Sequence, residues 1–235
     1  MRLVAIPGVF RPISDAWLLT DALDREPLMG CRPPARVLDQ CSGSGALAVR
    51  AALGPAHPAG PASVTAVDIS RRAVAAIRLN AALNGVRVRA VRGDLFGAVD
   101  GECFDAIVSN PPYVPGPHDA LPRRGLERAW HAGRDGRVLL DRICAGAPAQ
   151  LRPGGVVLLV HSSLLGVEPT LDALRAGGLG VRRGERERAA RAADERPPGA
   201  SGSPRPARAG AARGGRGGRA RAQAAVRQLM PQCAE

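Results

Sequence analysis

The stretch Arg36-Val-Leu-Asp-Gln-Cys-Ser-Gly-Ser-Gly-Ala-Leu-Ala-Val-Arg-Ala-Ala-Leu53 decides the fold class. Arg36 to Asp39 reads as a strand entering a glycine-rich turn, and Ala46 to Leu53 reads as the helix that follows. Glycines in such a turn let a ligand approach the backbone closely, and the free amides at the helix start offer donors. Working outward, Val64 to Val67 is a short strand ending at Asp68. Ser70 is placed to cap a helix carrying Val74, Ile77 and Ala81 on one face, with Asn84-Gly85 as its stop signal. Gly54 to Pro61 reads as a loop between these units.

The same alternation continues. Val86 to Val91 alternates apolar residues with Arg and ends at Gly93-Asp94, and Phe104 to Ser109 is a fourth strand running into Asn110. A helix is predicted from Gly136 to Leu151, with Pro148 kinking or restarting it. Pro153-Gly154-Gly155 reads as a turn, Val156 to Val160 as a fully apolar strand, and Thr170 to Ala176 as a helix. Strands alternating with helices define an α/β protein: a Rossmann-like, doubly wound, mostly parallel sheet with helices on both faces.

Residues 1–180 are predicted to form one domain, and 181–235 a tail rich in Arg, Gly, Ala and Pro. In the tail the only large aliphatic residues are Val181, Val226, Leu229 and Met230, too little apolar surface to offset ordering the chain, so disorder is expected. The formal net charge is +12, all basic residues are Arg, and 13 of them sit in the tail against 5 acidic residues. The remainder is close to charge balance, which disfavours a nucleic-acid-binding body. The tail reads either as a divergent or frameshifted terminus or as an RNA-binding segment, and the absence of interleaved aromatics weighs against the latter. Five cysteines without a CxxC pair suit neither zinc nor a disulfide framework. No apolar run is long enough for a membrane span, and residues 1–12 lack a signal-peptide core, so the expected location is the cytoplasm.

Three carboxylates follow successive strands: Asp39 before the glycine-rich turn, Asp68 and Asp94. A carboxylate at the position of Asp68 can accept both hydroxyls of a ribose, and Asp94 is placed to accept from an adenine amino group. Singly, each has a plainer reading, Asp68 as a helix N-terminal acid and Asp94 as a turn residue. In register at one sheet edge they read as a nucleotide site.

These residues resemble the class I S-adenosylmethionine-dependent methyltransferases, whose loop has the form D/E-x-G-x-G-x-G. The match is at Asp39, Gly43 and Gly45, with Cys41 where the first glycine usually stands. Within that class, Asn110-Pro111-Pro112-Tyr113 resembles the NPPY motif of enzymes that methylate planar amino groups. Val9-Phe10-Arg11-Pro12-Ile13-Ser14-Asp15-Ala16-Trp17-Leu18-Leu19 and Ala129-Trp130-His131-Ala132-Gly133-Arg134-Asp135-Gly136 resemble segments of the HemK/PrmC-like release-factor glutamine methyltransferases, in the short branch without an N-terminal helical domain. There the first segment closes over the cofactor and the second lies on the substrate side. Trp17 and Trp130 read equally as core residues, and His131 as a surface loop residue.

The resemblance implies binding of S-adenosyl-L-methionine by Asp39, Cys41, Gly43, Gly45, Asp68, Asp94 and Asn110, with Asn110, Pro111, Pro112 and Tyr113 forming the catalytic loop. An amide nitrogen is a poor nucleophile because its lone pair is delocalised. Acceptors at the Asn110 side-chain oxygen and the Pro111 carbonyl would grip its two N–H bonds, while the prolines fix the backbone and Tyr113 stacks on the planar group. The implied acceptor is a glutamine amide of a protein such as a peptide chain release factor. The alternatives are a nucleic-acid amino methyltransferase and an inactive cofactor-binding relative. The family's two closing antiparallel strands have no counterpart in the tail's sequence, which would leave the sheet with an unprotected edge.

Overall fold

The computed structural model describes residues 1–12, 14–25, 34–54, 62–122, 125–181 and 222–227. In chain order the elements are helix α1 (Ser14–Arg25), strand β1 (Arg36–Gln40), α2 (Ala46–Leu53), β2 (Ser63–Asp68), α3 (Arg71–Leu83), β3 (Val88–Arg92), β4 (Phe104–Ser109), α4 (Val138–Gln150), β5 (Leu151–Ser162), α5 (Glu168–Ala176) and β6 (Ala222–Arg227). The sheet order is β3-β2-β1-β4-β5-β6. Strands β1 to β5 are mutually parallel, and β6 runs antiparallel to β5.

The central strands β1 and β4 and the 155–161 stretch of β5 are buried on both faces, as parallel strands under helices must be, which is why Val156 to Val160 reads as a fully apolar run, whereas edge strand β3 is half-exposed. One face carries a core of Val37, Ala48, Ala66, Ile77, Ala106, Leu158 and their neighbours, with Leu19 and Leu23 of α1 closing it. The other gathers Leu38, Phe104, Ile107, Leu140, Ile143, Val157 and Leu174, drawing on α4 and α5. Consecutive residues Val37 and Leu38 fall in opposite cores, as the two-residue period of a strand requires. Each fully buried aliphatic side chain contributes about 1.5–3 kcal/mol relative to exposure.

Several local expectations hold. Helix α2 has the predicted bounds. The Ser70 side chain accepts from the Ala73 amide, and Asn84 ends α3, followed by Gly85 at φ 65°. Others change. Pro148 sits inside the last turn of α4, and the helix runs on to Gln150. Pro153-Gly154-Gly155 does not separate a turn from a strand: β5 spans it, absorbing it as an irregularity opposite Phe104 and Ala106. Of the predicted loop 54–61, residues 55–61 lie outside the described residues, as do 182–221 and 228–235 of the tail.

The tail expectation needs correction at one point. Residues 222–227 add a strand to β5, pairing Val157 with Val226 and His161 with Gln223. The edge of β5 is therefore covered. Sequence pattern missed β6 because three of its six residues are Ala, so its pairing rests on backbone hydrogen bonds more than on apolar contrast.

The strand order reverses between β1 and β4. Connections from β1 wind one way through β2 to β3, and those from β4 wind the other way to β5. At such a switch point the loops leaving the two central strands part, and a crevice opens at their carboxyl ends. Gln40 and Ser109 are register partners at those ends, which brings the glycine-rich turn and Asn110 side by side although they are distant in sequence.

Candidate active site

The turn after β1 is held by a set of short hydrogen bonds. Asp39 is fully buried, and its Oδ2 accepts from Ser42 Oγ at 2.5 Å and from the Ala48 amide at 3.1 Å. It therefore ties the start of α2 to the end of β1. Cys41 takes φ +56°, in the left-handed region that glycine would occupy without strain; for an L-residue this costs roughly 1–2 kcal/mol. Burial, reinforced by the negative charges of Asp68 and Asp39, raises the Cys41 thiol well above the ordinary cysteine value. Gly45, at φ +82°, leaves little room for a side chain: an added Cβ would stand 3.1 Å from the Cα of Ile77, so its absence lets α3 lie close against the turn.

The amino-terminal segment is stapled over this turn by Asn80 of α3, which sequence reading passed over, and by Asn84 at its C-cap, read from sequence only as a stop signal. Asn80 exchanges hydrogen bonds with the Val4 backbone and donates to the Ser44 carbonyl at 2.9 Å, and Asn84 exchanges two with Arg2. The pairs are 76 and 82 residues apart, which is why no local pattern announced them.

Asp68 accepts from the Gly43 amide at 2.9 Å and from the Ser70 amide at 2.8 Å, closing the turn against β2. Burial raises its pKa, opposed by these hydrogen bonds and by the charge of Arg128. Asp94 is half-exposed, and its Oδ2 accepts from Arg142 of α4 at 2.8 Å. Its other oxygen accepts from none of the described residues.

Asn110, Pro111, Pro112 and Tyr113 follow β4. Among the described residues, the Asn110 side chain has no hydrogen-bond partner, so its amide is open to a ligand. The Tyr113 hydroxyl donates to Asp15 of α1 in a short bond, and burial with the Asp15 charge raises the phenol's pKa. The loop is fixed against the segment 129–136 by a two-residue parallel bridge: the Val114 amide donates to the Trp130 carbonyl at 2.7 Å, and the Ala132 amide donates to the Val114 carbonyl at 3.0 Å. Phe10 meets Trp130 edge to face, with centroids 5.0 Å apart. Thus the two segments flanking the sheet edge touch each other over the crevice.

One cavity of about 280 Å³ collects these features, at the lower edge of the usual size for a small-molecule site. Its lining includes Phe10, Cys41, Gly43, Asp68, Asp94 and Asn110 through Tyr113. Asp39 and Gly45 do not reach its surface; they stand behind the turn and shape it. His131, expected on a surface loop, is half-buried and lines the cavity. Trp17 and Trp130 are 43% and 41% exposed, so neither is a core residue. Among the described residues no group of His, Cys, Asp or Glu could hold a metal ion.

Asp39 gives the site a pH signature. Burial raises its pKa from 3.8 to about 7, against the opposing hydrogen bonds from Ser42 and Ala48. The folded state thus binds this proton more tightly than the unfolded state. The stabilising effect of protonation is fully present below pH 3.8 and is lost as pH rises to about 7. Asp39→Asn, neutral throughout, is expected to make unfolding free energy less steep across that window in urea titrations at stepped pH. An unchanged slope would mean that Asp39 is not the group responsible.

A parallel sheet with a switch-point cavity, a carboxylate after β2 that closes a glycine-rich turn, and an amide-bearing Asn-Pro-Pro-Tyr loop after β4 define the class I methyltransferase fold and site. Residues 5–125 match the family model described as methyltransferase small domain, and the chain belongs to that family. It is 33% identical over 185 residues to a Methanocaldococcus jannaschii chain assigned as a protein N5-glutamine methyltransferase, covering 77% of this chain and 86% of that one. It is 40% identical over 161 residues to the release factor glutamine methyltransferase of Bordetella pertussis, covering 66% of this chain and 57% of that enzyme, so it spans little more than half that length. Among solved structures it is similar to the Thermus thermophilus 16S rRNA N2 G1207 methyltransferase in complex with AdoMet and guanosine, with a TM-score of 0.52 and 28% identity over 71% of this chain and 40% of that one. The methyl donor of this class is S-adenosylmethionine.

Proposed function

We propose that the chain transfers a methyl group from S-adenosylmethionine to the side-chain amide nitrogen of a protein glutamine, with a peptide chain release factor as the first candidate substrate. The observation that carries this reading is that the open amide of Asn110 and the carboxylate of Asp68 line one cavity. Asp68 supplies a carboxylate suited to the hydroxyls of a ribose, beside a glycine-rich turn that lets a ligand approach closely. When bound, S-adenosylmethionine supplies a methyl group made electrophilic by the attached sulfonium.

The remaining chemistry belongs to this chain. Asn110 Oδ1 and the Pro111 carbonyl accept the two N–H bonds of the substrate amide, holding its nitrogen with the lone pair turned toward the donor. Pro111 and Pro112 carry no amide hydrogen, so their loop offers carbonyls and a fixed path. The nitrogen loses one proton to solvent as it gains the methyl carbon. Rate acceleration rests on positioning and on the acceptors that meet the developing positive charge. Roles for Cys41, Gly43 and Asp94 in donor binding follow from their places in the lining, while Asp39 and Gly45 act through the turn.

The reading includes a cytoplasmic location, where translation factors are found. No helix among the described residues is long and apolar enough to cross a membrane. It also treats residues 1–180 as the catalytic unit, with the rest of the chain adding the covering strand β6. The test is incubation of the full chain with methyl-labelled S-adenosylmethionine and either a release factor or 16S rRNA. Label on the factor, placed by mass spectrometry on a glutamine, is the expected result. Label on the RNA alone would replace protein by nucleic acid as the acceptor.

A further inference from the structure

Among the described residues, Leu164 is the most exposed of the large apolar side chains, at 81%, whereas the next, Met1 at the chain terminus, stands at 49%. A single leucine on a surface is ordinary; its rigidity and its place set this one apart. It belongs to a short turn, Ser163–Leu165, that follows β5. The turn is fixed at both ends. The Leu164 amide donates to the Ser162 hydroxyl at 3.2 Å, and the Gly166 amide donates to the Ser163 carbonyl at 3.2 Å. Arg137, just before α4 and with a side chain only 12% exposed, donates through Nη1 to the Leu165 carbonyl at 3.0 Å and the Gly166 carbonyl at 3.4 Å. Its Nη2 donates to Asp141 at 2.7 Å and to Thr170 Oγ1 at 3.2 Å, which ties the turn to α4 and α5.

The same turn is registered against the acceptor loop. The Leu165 tip, the Tyr113 carbonyl and the Pro115 ring converge on Gly136, where an added Cβ would stand 2.7, 2.5 and 3.2 Å from them. Leu164, adjoining Leu165, therefore belongs beside the Asn-Pro-Pro-Tyr loop. The sheet order gives the direction. Asp68 ends β2, the glycine-rich turn follows β1, the acceptor loop follows β4 and the Leu164 turn follows β5, with the strands side by side in that order. Neighbouring strands lie about 4.8 Å apart, so the acceptor loop stands between the donor half of the crevice and Leu164. A glutamine gripped by Asn110 meets the donor on the β1 side. The β5 side is left for the body of the protein that carries it.

Resting on the methyltransferase reading above, we propose that the Ser163–Leu165 turn is a docking surface for the protein acceptor, with Leu164 entering an apolar patch next to the target glutamine. A leucine held on a turn that is already ordered loses little freedom on association, so its contact adds affinity at small entropic cost. An apolar side chain suits a protein surface and offers nothing to a phosphate backbone.

The test is steady-state methyl transfer by the full chain to a release factor, at saturating S-adenosylmethionine, for the wild type, Leu164→Ala, Leu164→Asp and Leu164→Met. Leu164→Ala is expected to raise KM for the factor about fivefold to tenfold and Leu164→Asp further, with kcat within about twofold of the wild type, because the lost contact is made equally before and during transfer. Leu164→Met keeps an apolar side chain and stays close to the wild type. Melting temperature and affinity for S-adenosylhomocysteine are unchanged in all three. An unaltered KM in Leu164→Asp removes the turn from the acceptor interface. A lower kcat at constant KM also overturns docking, and assigns the turn an effect on the catalytic loop through Gly136. A factor that the wild type leaves unlabelled defeats the glutamine reading and this surface with it. A labelled factor indifferent to Leu164 defeats the surface alone.

Discussion

Asn110→Ala is expected to lower kcat for methyl transfer by roughly 10²–10³-fold, the usual effect of deleting one preorganised hydrogen-bonding group from a reacting centre. The change in affinity for S-adenosylhomocysteine should be far smaller, because Asp68 and the glycine-rich turn are untouched. The prediction is large because the Asn110 side chain is free of other work: no described residue bonds to it, and its removal leaves the fold's hydrogen bonds in place. Single-turnover rates with saturating donor read the effect directly. Turnover close to wild type would remove Asn110 from the acceptor grip.

Gly136→Ala is expected to destabilise the protein by roughly 2–5 kcal/mol, combining the left-handed backbone cost with overpacking. Gly136 has φ +72°, and a Cβ there would stand 2.5 Å from the Tyr113 carbonyl oxygen and 2.7 Å from Leu165 Cδ2. The leucine tip can shift, but the Tyr113 carbonyl cannot move without carrying the Asn-Pro-Pro-Tyr loop. Urea denaturation should show the loss of stability, and methyl transfer measured well below the melting transition should fall as well. A variant with normal stability and normal activity would show that the loop does not depend on this contact. Gly136 thus links the segment 129–136, expected from resemblance to lie on the substrate side, to the loop that carries Asn110.

The parallel framework was legible because its signals are local. Helix α2, the Ser70 cap, the Asn84-Gly85 stop and the strand-ending carboxylates each declare themselves within a few residues. The adjacency of Asn110 and the glycine-rich turn followed once the chain was read as doubly wound, since the switch point brings those strand ends together. What escaped depends on distant partners or weak contrast. The Asn80 staple to Val4 and the Asp94–Arg142 pair join residues 76 and 48 apart, and nothing beside either residue marks its partner. The Tyr113–Asp15 bond, which joins α1 to the acceptor loop, spans 98 residues. The separation between residues that line the cavity and those that only shape it was equally hidden. Asp39 and Asp68 look alike in sequence, and only packing shows one buried behind the turn and the other at the surface of the cavity.

The cysteine in the cavity lining, Cys41, has one more consequence. Oxidants and alkylating agents attack the thiolate, and the surroundings of Cys41 hold its sulfur in the neutral thiol form. Cys103 lies exposed on the surface, away from the cavity lining. Among the described cysteines, peroxide or a disulfide reagent therefore meets Cys103 first. Burial first, with the negative charges of Asp68 and Asp39 adding to it, keeps the Cys41 sulfur in the less reactive form.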